Sequence, residues 1–377
     1  MKNKKPFKIH RSILKVLLGL VIVMVIGAVV FLCLQISGKN RLYNKSANKK
    51  PDLASVPISW EEETVEGSSQ EGGQPTQPIL IVDEDNENWE EGDLRYKGVH
   101  YRYNDQILTF LFLGIDKNGT VKEAKNGIDG GQSDAIFLLA LNPKTKEASL
   151  IGINRDTMTD IDVYDKNGNF LITTKAQLTL QHGYGDGKEQ SCERTLASVS
   201  KLMYNLPIHG YCAINYGAVP KINDAVGGVK LTVQADVQNE NGKLIYKKGE
   251  QIHLKGQKAL EFLRARDCST LGSATERLDR QKQYLTIYAD TAKQAIKKDV
   301  TVFVKLYNTI KKYMVTDITV DEVSYFSTQI SDYKFDGDQI YSVPGEIKMG
   351  EKFEEFYVDE KGLYELILKV FYDVIED

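Results

Sequence analysis

The longest apolar run in the chain lies near its N-terminus. Residues 16–34 are nineteen consecutive uncharged, mostly apolar residues, about the length that crosses a hydrocarbon core of ~30 Å. Basic residues before the run favour a cytoplasmic N-terminus. The pattern predicts a short basic cytoplasmic tail over 1–12 and a single transmembrane helix over 13–36. A cleaved signal peptide is the alternative, but its apolar core is normally about 7–15 residues long and ends at an A-x-A-like site, which this sequence lacks.

A polar, acidic segment follows the apolar run. Residues 51–95 contain thirteen Asp and Glu residues against Arg95 alone, together with Ser, Gly and Pro. Such a composition cannot bury enough apolar surface to offset the entropy of ordering the chain. We therefore predict a disordered acidic linker over 37–96, in which residues 51–95 pack against nothing. Residues 97–377 are predicted to form one extracellular domain.

Three short apolar runs at the start of that domain predict strands. They cover residues 108–114, 135–141 and 148–153, and continuous runs of this length fit strands that are buried on both faces. Turn-forming residues at 142–147 separate the second run from the third. This pair is therefore predicted to form an antiparallel hairpin.

The rest of the domain mixes helical and extended patterns. Amphipathic spacing predicts helices at residues 191–205, 257–263, 276–297 and 362–376. Further strands are predicted at 211–215 and 229–233. Because both short and long connections join these elements, the predicted fold class is α/β, with a mixed β-sheet flanked by helices in three αβα layers.

Charge and motifs limit the classes of function. Residues 96–377 contain 36 basic and 39 acidic residues, so the domain has no broad cationic surface for nucleic acid. An anionic ligand must instead be held by a local cluster of cations. Motifs of P-loop and dinucleotide-binding proteins, zinc proteases and α/β-hydrolases are absent. Cys192, Cys212 and Cys268 show no C-x-x-C spacing, and the sequence is compatible with one disulfide or with three buried thiols.

The predicted hairpin brings charged residues together. Its loop is centred between Lys144 and Thr145, and this register places Asp134 opposite Arg155 at the open end. Asp116 follows the first strand and reaches the same rim if that strand runs alongside 148–153. Two carboxylates and an arginine at one edge suit a hard divalent cation and the anion that it carries. An ordinary salt bridge at the rim is the alternative.

Arginines gather at the junction of two predicted helices. Arg264 and Arg266 fall where the first helix ends, and Arg277 and Gln281 lie four residues apart on one face of the next, with Arg280 nearby. A guanidinium offers a planar fork of donors that fits two phosphate oxygens. Pairing with neighbouring carboxylates at a solvated surface is the alternative. Arg264 and Arg266 cannot both pair well with those neighbours, so at least one should lack a protein partner.

Several separated motifs occur along the chain in a fixed order. They read LFLGID at 111–116, QSDAIFLLALNPKTKEASLIGINRDT at 132–157, LPIHGYCAINYGAVPKINDAVGGVKLTV at 206–233, KKGEQIHLKGQKALEFLRAR at 247–266 and ERLDRQKQYL at 276–285. In these motifs the chain strongly resembles the LytR-CpsA-Psr family of cell-envelope proteins. The resemblance is dense from Leu108 to about Lys297 and looser in the tail.

The resemblance implies an activity and a set of roles. Family members are phosphotransferases that move a glycopolymer, such as teichoic acid or capsular polysaccharide, from an undecaprenyl-pyrophosphate carrier to peptidoglycan. They are held by one N-terminal span with the domain outside the cell. By resemblance, Asp116 and Asp134 would hold Mg²⁺, and Arg155 and Asp156 would be catalytic, with Asp156 orienting Arg155 or acting as a base. Pyrophosphate binding is expected of Arg155, Arg264, Arg266, Arg277, Arg280 and Gln281. Lipid binding is expected of Leu196, Val199 and Leu202, for which core packing is the alternative.

The chain departs from the family pattern at three places. Gln132 stands where Arg is usual, Lys175-Ala-Gln-Leu-Thr-Leu replaces a K-x-N-x-A-Y stretch, and Thr275 replaces a common acidic residue. Two other functions stay open. One is a polyprenyl-pyrophosphate hydrolase or lipid-carrier-binding module that works without transfer. The other is a signalling protein. The fifteen residues before the uncharged run argue against it, because they are too few to fold or to read DNA.

Overall fold

The computed structural model describes residues 11–53, 88–267, 269–299, 301–327, 329, 332–334 and 337–376, with backbone alone for 11–27, 303 and 304. The chain divides into two compact units. The first comprises Met1–Lys45 and Ile318–Asp332, and the second comprises Ser46–Asp317 and Tyr333–Asp377.

The first unit is helical where it is described. It contains most of α1 (Arg11–Ser46) and all of α7 (Val320–Ser327), and Lys45 Nζ lies 3.0 Å from Glu322 Oε1. Within the described ranges, no helix is both long enough and apolar enough to cross a membrane. The predicted tail lies mostly outside the described residues, and the predicted span has described side chains only from residue 28 onward. The transmembrane helix therefore stays a prediction.

The second unit contains seventeen strands and six further complete helices in the described residues. The strands are β1 (Leu94–Tyr96), β2 (Val99–Tyr103), β3 (Leu108–Ile115), β4 (Ser133–Asn142), β5 (Glu147–Ile153), β6 (Met158–Tyr164), β7 (Phe170–Gln177), β8 (Gly210–Asn215), β9 (Val229–Thr232), β10 (Val237–Gln238), β11 (Leu244–Tyr246), β12 (Gln251–Leu254), β13 (Met314–Thr316), β14 (Ile340–Ser342), β15 (Gly345–Met349), β16 (Glu354–Val358) and β17 (Tyr372–Ile375). The helices are α2 (Glu189–Leu202), α3 (Val219–Ala225), α4 (Gln257–Arg264), α5 (Ser273–Lys298), α6 (Thr301–Ile310) and α8 (Glu360–Phe371).

A six-stranded mixed sheet forms the centre of this unit, in the order β13-β8-β3-β4-β5-β14. Strands β3 and β8 are parallel, as are β5 and β14, whereas β4 is antiparallel to both of its neighbours. The carboxyl ends of β3, β8, β5 and β14 therefore meet at one edge, where open α/β sheets commonly bind ligands. Strand β3 lies between β4 and β8, so it does not run alongside β5. Because β3 and β5 point the same way, Asp116 still reaches the expected rim.

Alternation along the strands gives the sheet two apolar faces. Leu111, Leu113, Ile136 and Leu138 share one core cluster with residues of α2 and α8. Phe112 and Phe137, which point the other way, pack with Leu278 and Leu285 of α5. Helices thus cover both faces of the mixed sheet, as the sequence predicts.

Both ends of the predicted linker differ from the expectation. Helix α1 continues to Ser46, and Leu53 is fully buried in the main core cluster. At the other end, Leu94 is 4% exposed and begins β1. The prediction that residues 51–95 pack against nothing is therefore wrong at these positions, because single apolar residues within an acidic segment dock on the core. Residues 54–87 lie outside the described ranges.

The predicted C-terminal helix ends early. Helix α8 stops at Phe371, and Tyr372–Ile375 continue as β17, which pairs antiparallel with β2. Aromatic and β-branched residues at 372 and 374 fit this extended pairing.

Candidate active site

The first hairpin has the predicted register, and a bulge ends it. Ile136 pairs with Ile153 and Phe137 with Gly152, so Asp134 and Arg155 lie two residues beyond the last pair on their strands. On the other side of β4, Gly114 pairs with Ala135 but Ile115 pairs with Ser133, which leaves Asp134 as the extra residue of a β-bulge. Bulges of this kind re-aim a side chain at the edge of a sheet. The bulge therefore separates Asp134 from the alternation of β4.

Arg155 forms the centre of a group of polar side chains at this edge. Its Nη1 forms an ion pair with Asp134 Oδ1, and its Nη2 donates to Gln132 Oε1 over 2.7 Å. Its Nε lies 3.2 Å from Asp156 Oδ1. The predicted adjacency of Asp134 and Arg155 is confirmed.

Helix α5 contributes a second cation to Asp134. Arg277 Nη1 lies 3.6 Å from Asp134 Oδ2, and the Arg277 side chain is only 6% exposed. The neighbouring Leu278 packs over Gly152 of β5, where a Cβ would lie 3.1 Å from Leu278 Cδ1, so the glycine lets α5 approach the sheet. Arg277 Nη2 is buried without a hydrogen-bond partner in the described part of the chain.

Arg266 belongs to a buried ionic network. Its Nη2 lies 3.0 Å from Glu354 Oε2 and 3.7 Å from Asp156 Oδ2, and its Nε donates to Ser273 Oγ over 2.9 Å. Burial raises the pKa of Asp156, against the opposing effect of Arg155, Arg266 and Arg277. Arg266 therefore has protein partners that the sequence did not reveal.

Glu354 is a site residue that sequence reasoning missed. It opens β16, which reaches the site because the Phe356 N–H donates to the carbonyl of Asp156 over 2.9 Å. Glu354 Oε1 also accepts from the N–H of Gly272, just before α5, over 3.0 Å. Nothing in the local sequence indicates this position, since the contact depends on where β16 docks.

The three remaining residues that were predicted to bind pyrophosphate have different surroundings. Arg264 is exposed, with its guanidinium 5.5 Å from the Tyr216 ring centre, and its side chain makes no hydrogen bond or ion pair with the residues described. The prediction that one of Arg264 and Arg266 lacks an ionic partner is thus confirmed for Arg264. By contrast, Arg280 donates to the carbonyls of Phe262 and Ala265, which commits it to holding α4 against α5. Gln281 is 4% exposed and lies next to a cavity.

Asp116 lies beside Gln132 at the same rim. Asp116 Oδ1 accepts from the Gln132 N–H over 2.8 Å, and Gln132 in turn contacts Arg155. Gln132 thus links Asp116 to the Asp134–Arg155 pair. Among the residues described, His, Cys, Asp and Glu form no group of three that could hold a metal ion. Two carboxylates nevertheless suffice for Mg²⁺, which typically binds one or two carboxylates together with substrate phosphates and water.

An apolar cavity of 210 Å³ lies between the sheet and helices α3, α4 and α5. Its lining includes Phe112, Phe137, Val219, Leu260, Tyr216 and Gln281. Because Gln281 is one turn from Arg277, the cavity adjoins the arginine cluster. Leu196, Val199 and Leu202 belong to α2, on the opposite face of the sheet, where Val199 is fully buried and the other two pack against the core. The structure gives them the packing role, since none of them lines this cavity.

The described cysteines do not form a disulfide. Cys192 and Cys212 are buried free thiols, and burial raises the pKa of both. Cys268 lies outside the described residues.

The chain is similar to several known proteins in sequence and in fold. The LytR_cpsA_psr family matches residues 81–367. A Bacillus cereus (strain ATCC 14579) protein named polyisoprenyl-teichoic acid–peptidoglycan teichoic acid transferase TagU is 29% identical over 266 residues, or 70% of this chain and 77% of that protein. TagV of Bacillus subtilis (strain 168), named for the same transferase activity, is 28% identical over 192 residues, or 50% of this chain and 44% of that protein.

Solved structures show a similar fold. The crystal structure of B. subtilis TagV has a TM-score of 0.52 at 24% identity, covering 70% of this chain and 95% of that one. A structure of TagT bound to LI-WTA has a TM-score of 0.52 at 21% identity, covering 70% of this chain and 89% of that one.

Proposed function

The chain belongs to the LytR-CpsA-Psr family, and from that premise we propose that it is a phosphotransferase that moves a glycopolymer from an undecaprenyl-pyrophosphate carrier to peptidoglycan. The observation that carries the proposal is the position of a buried arginine and carboxylate cluster beside an apolar cavity. Gln281 lines the cavity and lies one helical turn from Arg277, which pairs with Asp134. A ligand with a hydrocarbon tail and a pyrophosphate head matches both parts.

The formal charges of the cluster cancel before any ligand binds. It contains four arginines, Arg155, Arg264, Arg266 and Arg277, and four carboxylates, those of Asp116, Asp134, Asp156 and Glu354. We infer that Asp116 and Asp134 would hold Mg²⁺ in the presence of a pyrophosphate, in place of the Arg155 and Arg277 guanidinium groups that lie against Asp134 in the structure. Mg²⁺ would neutralise part of the negative charge on the phosphate oxygens. Arg155 and Arg277 would become free to donate to those oxygens.

The transfer step follows from these charges. A hydroxyl oxygen of peptidoglycan attacks the phosphorus nearest the sugar, the bond from that phosphorus to the lipid phosphate breaks, and the hydroxyl proton is released. The products are a phosphodiester on peptidoglycan and polyprenyl phosphate. Donors fixed in place by Asp156 and Glu354 stabilise the developing negative charge without reorganising. In this scheme Asp156 orients Arg155.

The N-terminal segment bears on location. We propose that residues 13–36 anchor the chain in the membrane with a cytoplasmic N-terminus and the enzymatic unit outside. The support is the uncharged run of residues 16–34 and the lysines that precede it. Anchoring would keep the site near a carrier whose tail lies in the bilayer.

A reconstituted assay tests the proposal. The full-length chain in detergent is mixed with a lipid-linked glycopolymer, Mg²⁺ and peptidoglycan fragments, and products are identified by mass spectrometry. Polymer joined to peptidoglycan through a phosphodiester is the expected product. Release of free polymer into water at the same rate, with or without peptidoglycan, would instead identify a hydrolase. Binding of the lipid without any turnover would identify a carrier-binding module.

A further inference from the structure

Tyr216 carries a buried hydroxyl that the proposed function does not use. It follows β8 at the carboxyl edge of the sheet, in the short 3-10 turn Tyr216–Ala218, and is 5% exposed. Its hydroxyl is buried and has no hydrogen-bond partner among the residues described. An unsatisfied buried hydroxyl destabilises a fold, so a ligand that accepts from it would remove this cost.

Tyr216 lies where the apolar cavity meets the arginine cluster. Its ring lines the apolar cavity, and the Arg264 guanidinium lies 5.5 Å from the ring centre. Gly114 leaves room for the ring, since a Cβ there would lie 2.9 Å from Tyr216 Cε1. Burial, reinforced by the nearby charge of Asp134, raises the pKa of Tyr216. The phenol therefore stays protonated and remains a donor.

The unpartnered donors indicate the chemistry of the missing acceptor. Arg277 Nη2 is also buried without a hydrogen-bond partner, and Arg264 offers only further donors. A hydrocarbon tail in the cavity cannot accept from any of them. An anion with several oxygens, located where the cavity meets the cluster, satisfies them together.

We propose that the Tyr216 hydroxyl donates a hydrogen bond to the lipid-side phosphate of a polyprenyl pyrophosphate. This inference rests on the proposed function and adds a binding residue to it. The contact fixes the depth at which the apolar tail ends and the phosphate begins. It makes the cavity selective for a phosphorylated prenyl chain over the free alcohol.

The test removes the hydroxyl and keeps the ring. Tyr216→Phe is compared with the unmodified full-length chain in detergent, and each is titrated with farnesyl pyrophosphate, farnesyl monophosphate and farnesol. We expect Tyr216→Phe to weaken both phosphorylated ligands about tenfold, equivalent to about 1.4 kcal/mol, and to leave farnesol unchanged. Its melting temperature should be unchanged or higher, because no protein partner is lost.

Tyr96→Phe is the matched control. Tyr96 is 3% exposed in the core on the other face of the sheet, and its hydroxyl donates to Glu365 Oε1 over 2.8 Å. This variant should melt at a lower temperature and bind all three ligands like the unmodified chain.

The outcomes separate the two proposals. If the unmodified chain does not prefer the phosphorylated ligands to farnesol, the proposed function fails, and this inference fails with it. If it does prefer them and Tyr216→Phe binds them equally well, only the inference is overturned. A loss seen with farnesol as well, or with the pyrophosphate alone, would likewise rule out a contact with the lipid-side phosphate.

Discussion

Arg264 and Arg266, which the sequence groups together, should behave differently when removed. Arg266→Ala removes a guanidinium that lies 3.0 Å from the Glu354 carboxylate and 3.7 Å from the Asp156 carboxylate. These carboxylates are 7% and 5% exposed. Removing one partner of a buried ion pair costs about 3–5 kcal/mol. Because Asp156 keeps Arg155 and Glu354 keeps the Gly272 N–H, we expect a smaller loss of about 2–4 kcal/mol, or roughly 5–10 °C in melting temperature.

Arg264→Ala should barely change stability. Arg264 is exposed, and the substitution removes only its cation–π contact with the Tyr216 ring. Such a contact contributes about 0.5–1 kcal/mol at an exposed site. Transfer by this variant should nevertheless fall, by about tenfold or more, if the guanidinium binds a phosphate. The structure thus separates two arginines to which the sequence assigns the same role in pyrophosphate binding.

The pH dependence of stability provides a second measurement of the effect of Arg266→Ala. The pKa of Asp156 is raised in the folded chain above its ordinary 3.8, so the folded state binds more protons and stability falls as pH rises through this window. Losing Arg266 raises that pKa further. The stability deficit of Arg266→Ala should therefore be largest near neutral pH and shrink as pH approaches 3.8. Urea unfolding of both variants across this range is the assay. Equal deficits for the two variants, or a deficit of Arg266→Ala that does not change with pH, would refute the reasoning.

Four further substitutions, at three positions, test other parts of the site and core. Asp134→Asn should lower transfer and raise the Mg²⁺ concentration at which transfer is half-maximal, while the chain still folds. An unchanged Mg²⁺ titration would remove Asp134 from the proposed ligands. Gln132→Arg removes the acceptor that Arg155 uses at 2.7 Å and adds a like charge, so it should cost about 1–3 kcal/mol. Added pyrophosphate should restore part of that loss, whereas Gln132→Glu should keep the melting temperature, and the reverse order of stabilities would contradict this account. Burial lowers the pKa of His182 to about 4 from 6.5, so stability should fall by at most roughly 3 kcal/mol as pH drops through this window. His182→Gln should flatten that dependence in pH-dependent unfolding.

The site was predictable where local register determined it. The loop at 142–147 is short, so the register of β4 and β5 followed from the turn, and with it the adjacency of Asp134 and Arg155. The bulge at Asp134 was not predictable, because it depends on the pairing of β4 with β3. Glu354 was missed for a similar reason, since β16 reaches the site through tertiary docking alone.

The layers of the fold were predictable, but the assignment of helices to faces was not. The apolar stripe on α2 predicts that Leu196, Val199 and Leu202 are buried. It does not predict against which face of the sheet α2 packs. Their position opposite the cavity depends on how the chain crosses from β7 to β8. In the same way, the acidic composition of residues 51–95 hides Leu53 and Leu94, whose burial depends on a core formed by distant strands.

The pairing of β17 with β2 affects when the enzymatic unit can fold during synthesis. Strand β2 has its second neighbour only after residues 372–375 have been made, and the bond from Tyr96 to Glu365 spans 269 residues. At about 5–20 residues per second, the early strands wait on the order of tens of seconds for these contacts. Such high contact order slows folding. During that interval the apolar strands β3 to β5 lack the cover of α8, so we expect the nascent chain to bind chaperones that recognise extended apolar segments.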